Sequence, residues 1–157
     1  MKVYVASSWR NKRLDEVIDI LRKDIHEVYD FRKHSAFNWR DINPNPGEWT
    51  AEMLANLRFE DKAKESFLND FKALKQCDVV LLVMPCGKSA HMEAGFASGL
   101  RKPLAILLVD GEPELSHFLA DRLFTSMEQV LSWLDHLEDE HDKAFTTTLT
   151  DRTPIPN

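Results

Sequence analysis

Hydrophobic and polar positions follow two patterns along this chain. Short, nearly continuous apolar runs alternate with longer stretches in which apolar side chains recur every three or four residues. Runs of about four to eight apolar residues are typical of strands covered on both faces, and the longer spacing is typical of amphipathic helices. The runs predict strands at 2–7, 26–31, 77–85, 103–109 and 122–125.

The helical spacing is clearest at Leu14, Val17, Ile18 and Leu21. We expect Ser126 to cap the final helix, and we expect a long irregular loop over 32–49. The spacing predicts helices over 11–23, over 89–101 and after 126. It also predicts a helical region, divided into two pieces, that follows the loop and ends near residue 76. Because strands alternate with helices, the fold class is α/β with a mostly parallel, five-stranded sheet.

The length and composition favour a single soluble domain. A chain of 157 residues suits one hydrophobic core, which we place at 1–144, followed by a flexible tail at 145–157. A net charge of −6 argues against a nucleic-acid partner. The two cysteines and the absence of a signal-like or membrane-length apolar segment predict a cytoplasmic protein without a membrane partner.

The stretch from Met84 to Gly95, MPCGKSAHMEAG, contains pieces of two known motifs, and both fail on spacing. A P-loop needs a glycine five residues before its Gly-Lys-Ser, but Leu82 occupies that position within the predicted strand. A zinc deaminase needs His-x-Glu followed by Pro-Cys-x-x-Cys, whereas here the Pro-Cys comes first and lacks its second cysteine. His91 has no partner at ligand spacing, so we expect neither a metal nor a cofactor.

Two carboxylates lie on faces that are otherwise apolar. Glu93 shares a helical face with Ala90, Ala94 and Ala97, and Asp70 shares one with Phe67, Phe71 and Leu74. A buried carboxylate needs a partner or a function because desolvating its charge is costly. Each could instead be solvated at the rim of the sheet or cap a neighbouring backbone.

Polar side chains cluster where two predicted strands end. Helix N-termini there could hold a phosphate or carboxylate. Ser89 could equally cap its helix, and Lys88 could be a solvated lysine. The candidate donors are Ser7, Ser8, Arg10, Asn11, Gly87, Lys88 and Ser89.

The segment 29–50 is rich in aromatic residues, which could stack on a nucleobase. They could equally cover the sheet edge or a dimer contact. The aromatic residues are Tyr29, Phe31, Phe37, Trp39 and Trp49, of which Phe31, Phe37 and Trp39 are the stacking candidates.

Three segments together resemble the nucleoside 2-deoxyribosyltransferase-like superfamily. They are VYVASSWRN, LNDFKALKQCDVVLLVM and SAHMEAGFASGLRKPL, and the resemblance covers most of residues 1–110. Its most specific parts are E-x-G-x-A-x-x-x-x-K-P from Glu93 to Pro103 and the spacing from Asp70 to the next strand. The superfamily includes 2′-deoxynucleoside 5′-phosphate N-hydrolases and nucleotide N-glycosidases, and is distantly similar to toll/interleukin-1 receptor (TIR) domains.

The resemblance implies a flavodoxin- or Rossmann-like three-layer sandwich that cleaves an N-glycosidic bond. By motif position Glu93 matches the nucleophile, Asp70 the carboxylate that handles the base and its proton, and Tyr4 a tyrosine that orients the nucleophile. Ser8 and Arg10 match the Ser-x-Arg that nucleotide hydrolases use near the 5′-phosphate.

Three positions depart from the superfamily pattern. Gly87 stands where the transferases have aspartate and the nucleotide hydrolases serine, and Ser89 replaces a glycine. His91, like the aromatic loop at 29–50, is particular to a subgroup. The resemblance favours hydrolysis over transfer, a nucleoside or nucleoside monophosphate as substrate, and a homodimer or larger homo-oligomer. The alternatives are a TIR-like or non-catalytic module that binds NAD-type ligands, and a purely structural or partner-binding domain.

Overall fold

In the part of the chain that the structure describes, five parallel strands form one sheet. The structure is a computed structural model that describes residues 1–24, 26–34, 39–43, 45, 48–109 and 114–150, with the backbone alone for 41 and 144–150. The strands are β1 (Lys2–Ala6), β2 (Glu27–Tyr29), β3 (Val79–Val83), β4 (Leu104–Leu107) and β5 (Arg122–Phe124). The predicted strands are confirmed, and each is shorter than predicted by one to four residues.

Helices connect successive strands and flank the sheet. They are α1 (Leu14–Lys23), α2 (Phe31–His34), α3 (Trp39–Ile42), α4 (Ala51–Asn56), α5 (Asp61–Gln76), α6 (Lys88–Gly99) and α7 (Met127–Thr150). Two 3-10 turns cover Leu57–Phe59 and Leu115–Leu119. The Ser126 hydroxyl accepts a bond from the Gln129 amide at 3.4 Å, which confirms the predicted cap of α7. This last helix continues past residue 144 to Thr150.

The strand order is β2-β1-β3-β4-β5, and every neighbouring pair is parallel. This is the flavodoxin-like order, so the expected α/β three-layer fold is confirmed. In such sheets ligands bind beyond the carboxyl ends of the strands, at the point where the strand order reverses. Here that point lies between β1 and β3.

The two faces of the sheet carry separate cores. Val3 and Val5 of β1 pack with α1 and α7, whereas Tyr4 and Ala6 pack with α5 and α6. The alternation follows from the period of a strand, because successive side chains point to opposite faces. The strands β3 and β4 are fully buried, as their continuous apolar sequence predicts.

Two expectations need correction. The loop expected over 32–49 includes two short helices, α2 and α3. The Asp30 carboxylate favours α2 because it accepts the Arg32 amide at 3.1 Å at the start of that helix. Helix α1 begins at Leu14 rather than residue 11, since the Asn11 side chain accepts the Arg13 amide at 2.9 Å in a preceding turn. No helix among the described residues has the length and apolar character needed to cross a membrane.

Candidate active site

Helix α6 brings Glu93 to the Tyr4 face of the sheet. Ala90, Ala94 and Ala97 of this helix are buried in the core on that face, and Glu93 is partly buried one turn along from Ala90. Small side chains at these positions let the helix lie close to the sheet, so the longer glutamate reaches the space above β1. The apolar stripe that the sequence predicted is therefore present, with the carboxylate on it.

Burial sets the ionisation of Glu93. Desolvation, followed by the negative charge of Asp70, raises the pKa of Glu93 to about 7, and the Tyr4 hydroxyl opposes this rise. A carboxylate usually titrates near 4.5, so Glu93 changes its charge within the neutral range. Groups with such displaced pKa values are concentrated at functional sites.

Asp70 lies on α5 and has a specific partner on β2. The Tyr29 hydroxyl donates to Asp70 Oδ1 at 2.9 Å. Burial raises the pKa of Asp70, whereas this hydrogen bond and the nearby His34 lower it. The negative charge of Asp70 adds to burial, the larger cause, in raising the pKa of Glu93.

Tyr4 lies at the bottom of the site and is completely buried. Its hydroxyl has no hydrogen bond of regular geometry within the described residues, yet it is near enough to Glu93 to favour the ionised carboxylate. Burial and the charges of Glu93 and Asp70 raise the pKa of Tyr4 far above its usual range, so the phenol stays protonated. The structure thus brings together the three residues that the resemblance named as catalytic.

Two of the polar residues after β1 hold the loops of the site together. The Ser7 hydroxyl donates to the Val83 carbonyl at 2.9 Å. The buried Asn11 amide donates to the carbonyls of Val83, Met84 and Pro85 at 3.2–3.3 Å. These bonds fix the loop after β1 beside the loop after β3, so we assign Ser7 and Asn11 a structural part.

The residues predicted to hold a phosphate lie on these two loops. Ser8 is partly buried, and its hydroxyl accepts the Arg10 amide at 3.2 Å, while the Arg10 side chain is exposed. Gly87 caps α6 with an extended backbone, so Lys88 and Ser89 form the first turn of the helix and both are exposed. The alternative that Ser89 caps the helix is therefore wrong, because the cap lies two residues earlier, at Gly87.

His91 has a partner that sequence spacing did not reveal. Its Nε2 lies 3.4 Å from Nε2 of His117 on the 115–119 turn, and its Nδ1 lies 3.2 Å from the Gly87 carbonyl oxygen. The Cys86 thiol lies 3.4 Å from Nδ1. Burial and the charge of Glu93 raise the pKa of Cys86 to about 11. Among the described residues no group of three or more His, Cys, Asp or Glu side chains is placed to hold a metal.

The structure describes two of the three stacking candidates, Phe31 and Trp39. Phe31 packs against the core of the α1 and α7 face and edge-on to Trp9, with ring centroids 5.3 Å apart. Trp39 is half exposed and packs edge-on to Trp49. Phe37 lies outside the described residues.

Sequence reasoning missed Tyr29 as a partner of Asp70. Tyr29 pairs in register with Tyr4 across the parallel strands, so both rings lie on the same face and stack with centroids 5.3 Å apart. The sequence signal for this contact was a tyrosine on each of the first two predicted strands, Tyr4 and Tyr29. A cavity of about 360 Å³ lies along β2. Tyr29 and His34 line it, whereas Asp70 and Glu93 do not.

Comparison with solved structures relates the fold to a known architecture. The chain is similar to 2-deoxyribosyltransferase from the psychrotolerant bacterium Bacillus psychrosaccharolyticus, with a TM-score of 0.62 and 18% sequence identity over 83% of this chain and 90% of that one. The chain has the fold of a 2-deoxyribosyltransferase. The expected resemblance is thus supported at the level of the fold.

A second solved structure gives a weaker match. The CMP N-glycosidase BcmB of Clostridium botulinum aligns with a TM-score of 0.47 and 19% identity, over 86% of this chain and 99% of that one. No protein-family profile and no curated protein sequence matches the chain. The similarity in fold therefore rests on the match to 2-deoxyribosyltransferase.

Proposed function

We propose that this protein is an enzyme that breaks the N-glycosidic bond of a nucleoside 5′-monophosphate or nucleoside, by hydrolysis rather than transfer. The observation that carries the proposal is the carboxylate Glu93, with a pKa of about 7, next to a second carboxylate, Asp70, and above the buried Tyr4. The 2-deoxyribosyltransferase fold supports it.

The proposed chemistry uses the two carboxylates in different roles. Ionised Glu93 attacks the anomeric carbon C1′ as the C1′–N bond breaks, and the electron pair of that bond goes to the base nitrogen. Asp70, when protonated, supplies the proton that the leaving base takes up. Asp70, now ionised, takes a proton from water as the water oxygen attacks C1′; the bond between C1′ and Glu93 breaks, which gives the free sugar or sugar phosphate and ionised Glu93, as in retaining glycosidases.

The phosphate is assigned to the two loops that Asn11 ties together. The exposed Arg10 supplies a positive charge next to Ser8. The N-terminus of α6 supplies free backbone N–H groups at Gly87, Lys88 and Ser89. Both features favour an anionic group at these two loops.

The decisive test follows free base and sugar by chromatography over a panel of ribo- and deoxyribonucleosides and their 5′-monophosphates. We expect base release by the wild type and a loss of about a thousandfold or more in Glu93→Gln. The matched control is Glu65→Gln, an exposed glutamate on α5. No release from any substrate, or equal release by Glu93→Gln, refutes the proposal.

Two further measurements refine the substrate. Arg10→Ala should raise KM for a monophosphate and leave the matching nucleoside unaffected. A second free base added to the reaction should yield no new nucleoside if the enzyme hydrolyses, and a new nucleoside if it transfers. Thermal stabilisation by NAD or ADP-ribose, without stabilisation by monophosphates, would favour the TIR-like alternative.

An exposed apolar surface next to the site supports a homo-oligomer. Phe67, Phe71 and Phe96 form a continuous row of ring contacts from α5 to α6, with centroids 5.5 and 4.9 Å apart. Met92 on α6 and Phe118 on the 115–119 turn are 76% and 90% exposed. Exposed apolar surface of this kind marks interaction sites. Light scattering should give at least twice the 18.2 kDa chain mass, and Met92→Asp should reduce it.

A further inference from the structure

Tyr29 and His34 form a layered contact with the base of the proposed site. The Tyr29 ring stacks on Tyr4 with centroids 5.3 Å apart and planes 12° apart. It also stacks on the His34 imidazole, at 4.7 Å and 10°. The Asn69 side chain donates to the His34 carbonyl at 3.4 Å, which links α2 to α5 next to Asp70. These contacts hold the Tyr29 ring in one orientation.

That orientation distinguishes the two oxygens of Asp70. The Tyr29 hydroxyl donates to Oδ1 of Asp70 at 2.9 Å. Oδ2 accepts no hydrogen bond from the described residues. An oxygen that already accepts an O–H donor is the poorer place for a proton. The transferable proton of Asp70 therefore belongs on Oδ2.

We propose that Tyr29 is a positioning residue for Asp70, which fixes Oδ1 so that Oδ2 gives its proton to the leaving base, and that His34 holds Tyr29 in place by stacking. This inference rests on the proposed glycosidase function and assigns to that reaction a residue on β2. Tyr29 itself contacts neither the sugar nor the base; it acts through Asp70.

The charges around Asp70 explain where the proton starts. The groups facing Asp70 are Tyr29 from β2, His34 from α2, Tyr4 from β1 and Glu93 from α6. Burial raises the pKa of Asp70, and Tyr29 and His34 oppose this rise, whereas burial and the charge of Asp70 together raise the pKa of Glu93 to about 7. Because the charge of ionised Asp70 helps to raise the pKa of Glu93, the proton that the unliganded pair takes up below about pH 7 is mainly on Glu93.

One proton transfer then prepares both reactive groups. Moving the proton from Glu93 to Asp70 Oδ2 leaves Glu93 ionised for attack on C1′ and Asp70 protonated for the base. As the C1′–N bond breaks, its electron pair goes to the base nitrogen, which takes the proton from Oδ2. The bond between Glu93 and C1′ forms in the same step, so charge and protons balance.

The test compares wild type with Tyr29→Phe, which keeps the stacked ring and removes only the hydroxyl. We expect kcat to fall about tenfold with KM within about twofold, because a displaced carboxylate costs rate rather than binding. Ionised Asp70 loses a donor, so its pKa rises and the acid limb of the pH profile of kcat moves to higher pH. His34→Ala should move that limb in the same direction by less, and the exposed neighbour Lys33→Ala should leave it in place.

Carbon-13 NMR titration of the Asp70 carboxyl tests the same bond without substrate. The pKa of Asp70 should be higher in Tyr29→Phe than in wild type. An equal Asp70 pKa, an unchanged acid limb, or a loss expressed only in KM would overturn the positioning role. A wild type that releases no base would refute the glycosidase function, while the titration would still decide whether Tyr29 controls Asp70.

Discussion

The two faces of the sheet use the same strand for different purposes. On the Val3 and Val5 face, apolar side chains of the sheet pack against α1 and α7. On the Tyr4 and Ala6 face the apolar core is bordered by Glu93 and Asp70. Burying two carboxylates and an unpaired phenol costs stability. The first face therefore stabilises the fold, and the second uses part of that stability to hold the site.

The largest expected effect is on the apolar face. Leu134 of α7 is 1% exposed in this core, so Leu134→Ala should lower the free energy of unfolding by about 2–5 kcal/mol, through lost burial and a cavity. Urea denaturation measures it. Leu68→Ala, on the half-exposed surface of α5, is the control and should cost much less. Equal losses in the two variants would contradict the division between the faces.

The second effect is a gain of stability on the site face. The pKa of Glu93 is about 7 in the folded chain against 4.5 for an ordinary glutamate. A raised carboxyl pKa means that ionisation opposes folding: the penalty is absent below pH 4.5, grows as the pH rises towards 7, and is full above it. Glu93→Gln should therefore be more stable than wild type by up to about 3 kcal/mol at pH 8 and by little at pH 4.

Denaturation at both pH values measures this gain, and Glu65→Gln, exposed on α5, supplies the control with no such pH dependence. A Glu93→Gln protein that is equally or less stable than wild type at pH 8 would show that the carboxylate is not held at a cost.

Tyr4→Phe should separate stability from activity. The Tyr4 hydroxyl is buried without a regular partner in the described part of the chain, so its removal should leave stability unchanged or raise it by about 1 kcal/mol. Activity should fall about tenfold because Glu93 loses the group that favours its ionised form. Thermal denaturation and the base-release assay measure the two effects. A variant that loses stability and activity together would assign Tyr4 to the core alone.

The smallest expected effect is at Gly87. A Cβ at this position would meet nothing within 4 Å, and the backbone, with φ of −95°, suits any residue. Gly87→Ser should therefore change stability by less than about 0.5 kcal/mol. If the turn contacts a phosphate, the added hydroxyl should lower KM for monophosphates by up to about tenfold, and not for nucleosides. Equal changes for both substrates would place the phosphate elsewhere.

The candidate site shows which of its residues the pattern of apolar and polar positions can predict. Glu93 and Asp70 were found because a carboxylate on an apolar helical face is anomalous, and such a face can be read from spacing. The contact between Tyr29 and Asp70 crosses 41 positions of sequence, and that between His91 and His117 crosses 26. No local periodicity encodes such contacts, since they depend on which strands and helices become neighbours.

The sequence by itself determined the order of strands and helices, the two faces of β1, and the carboxylates that face the sheet. Those features follow from the periods of the strand and the helix. Only the tertiary structure decided that Tyr29 donates to Asp70, that Asn11 ties the two loops together, and that Phe31 packs away from the carboxylates. These depend on strand register and loop path, which arise when distant segments pack against one another.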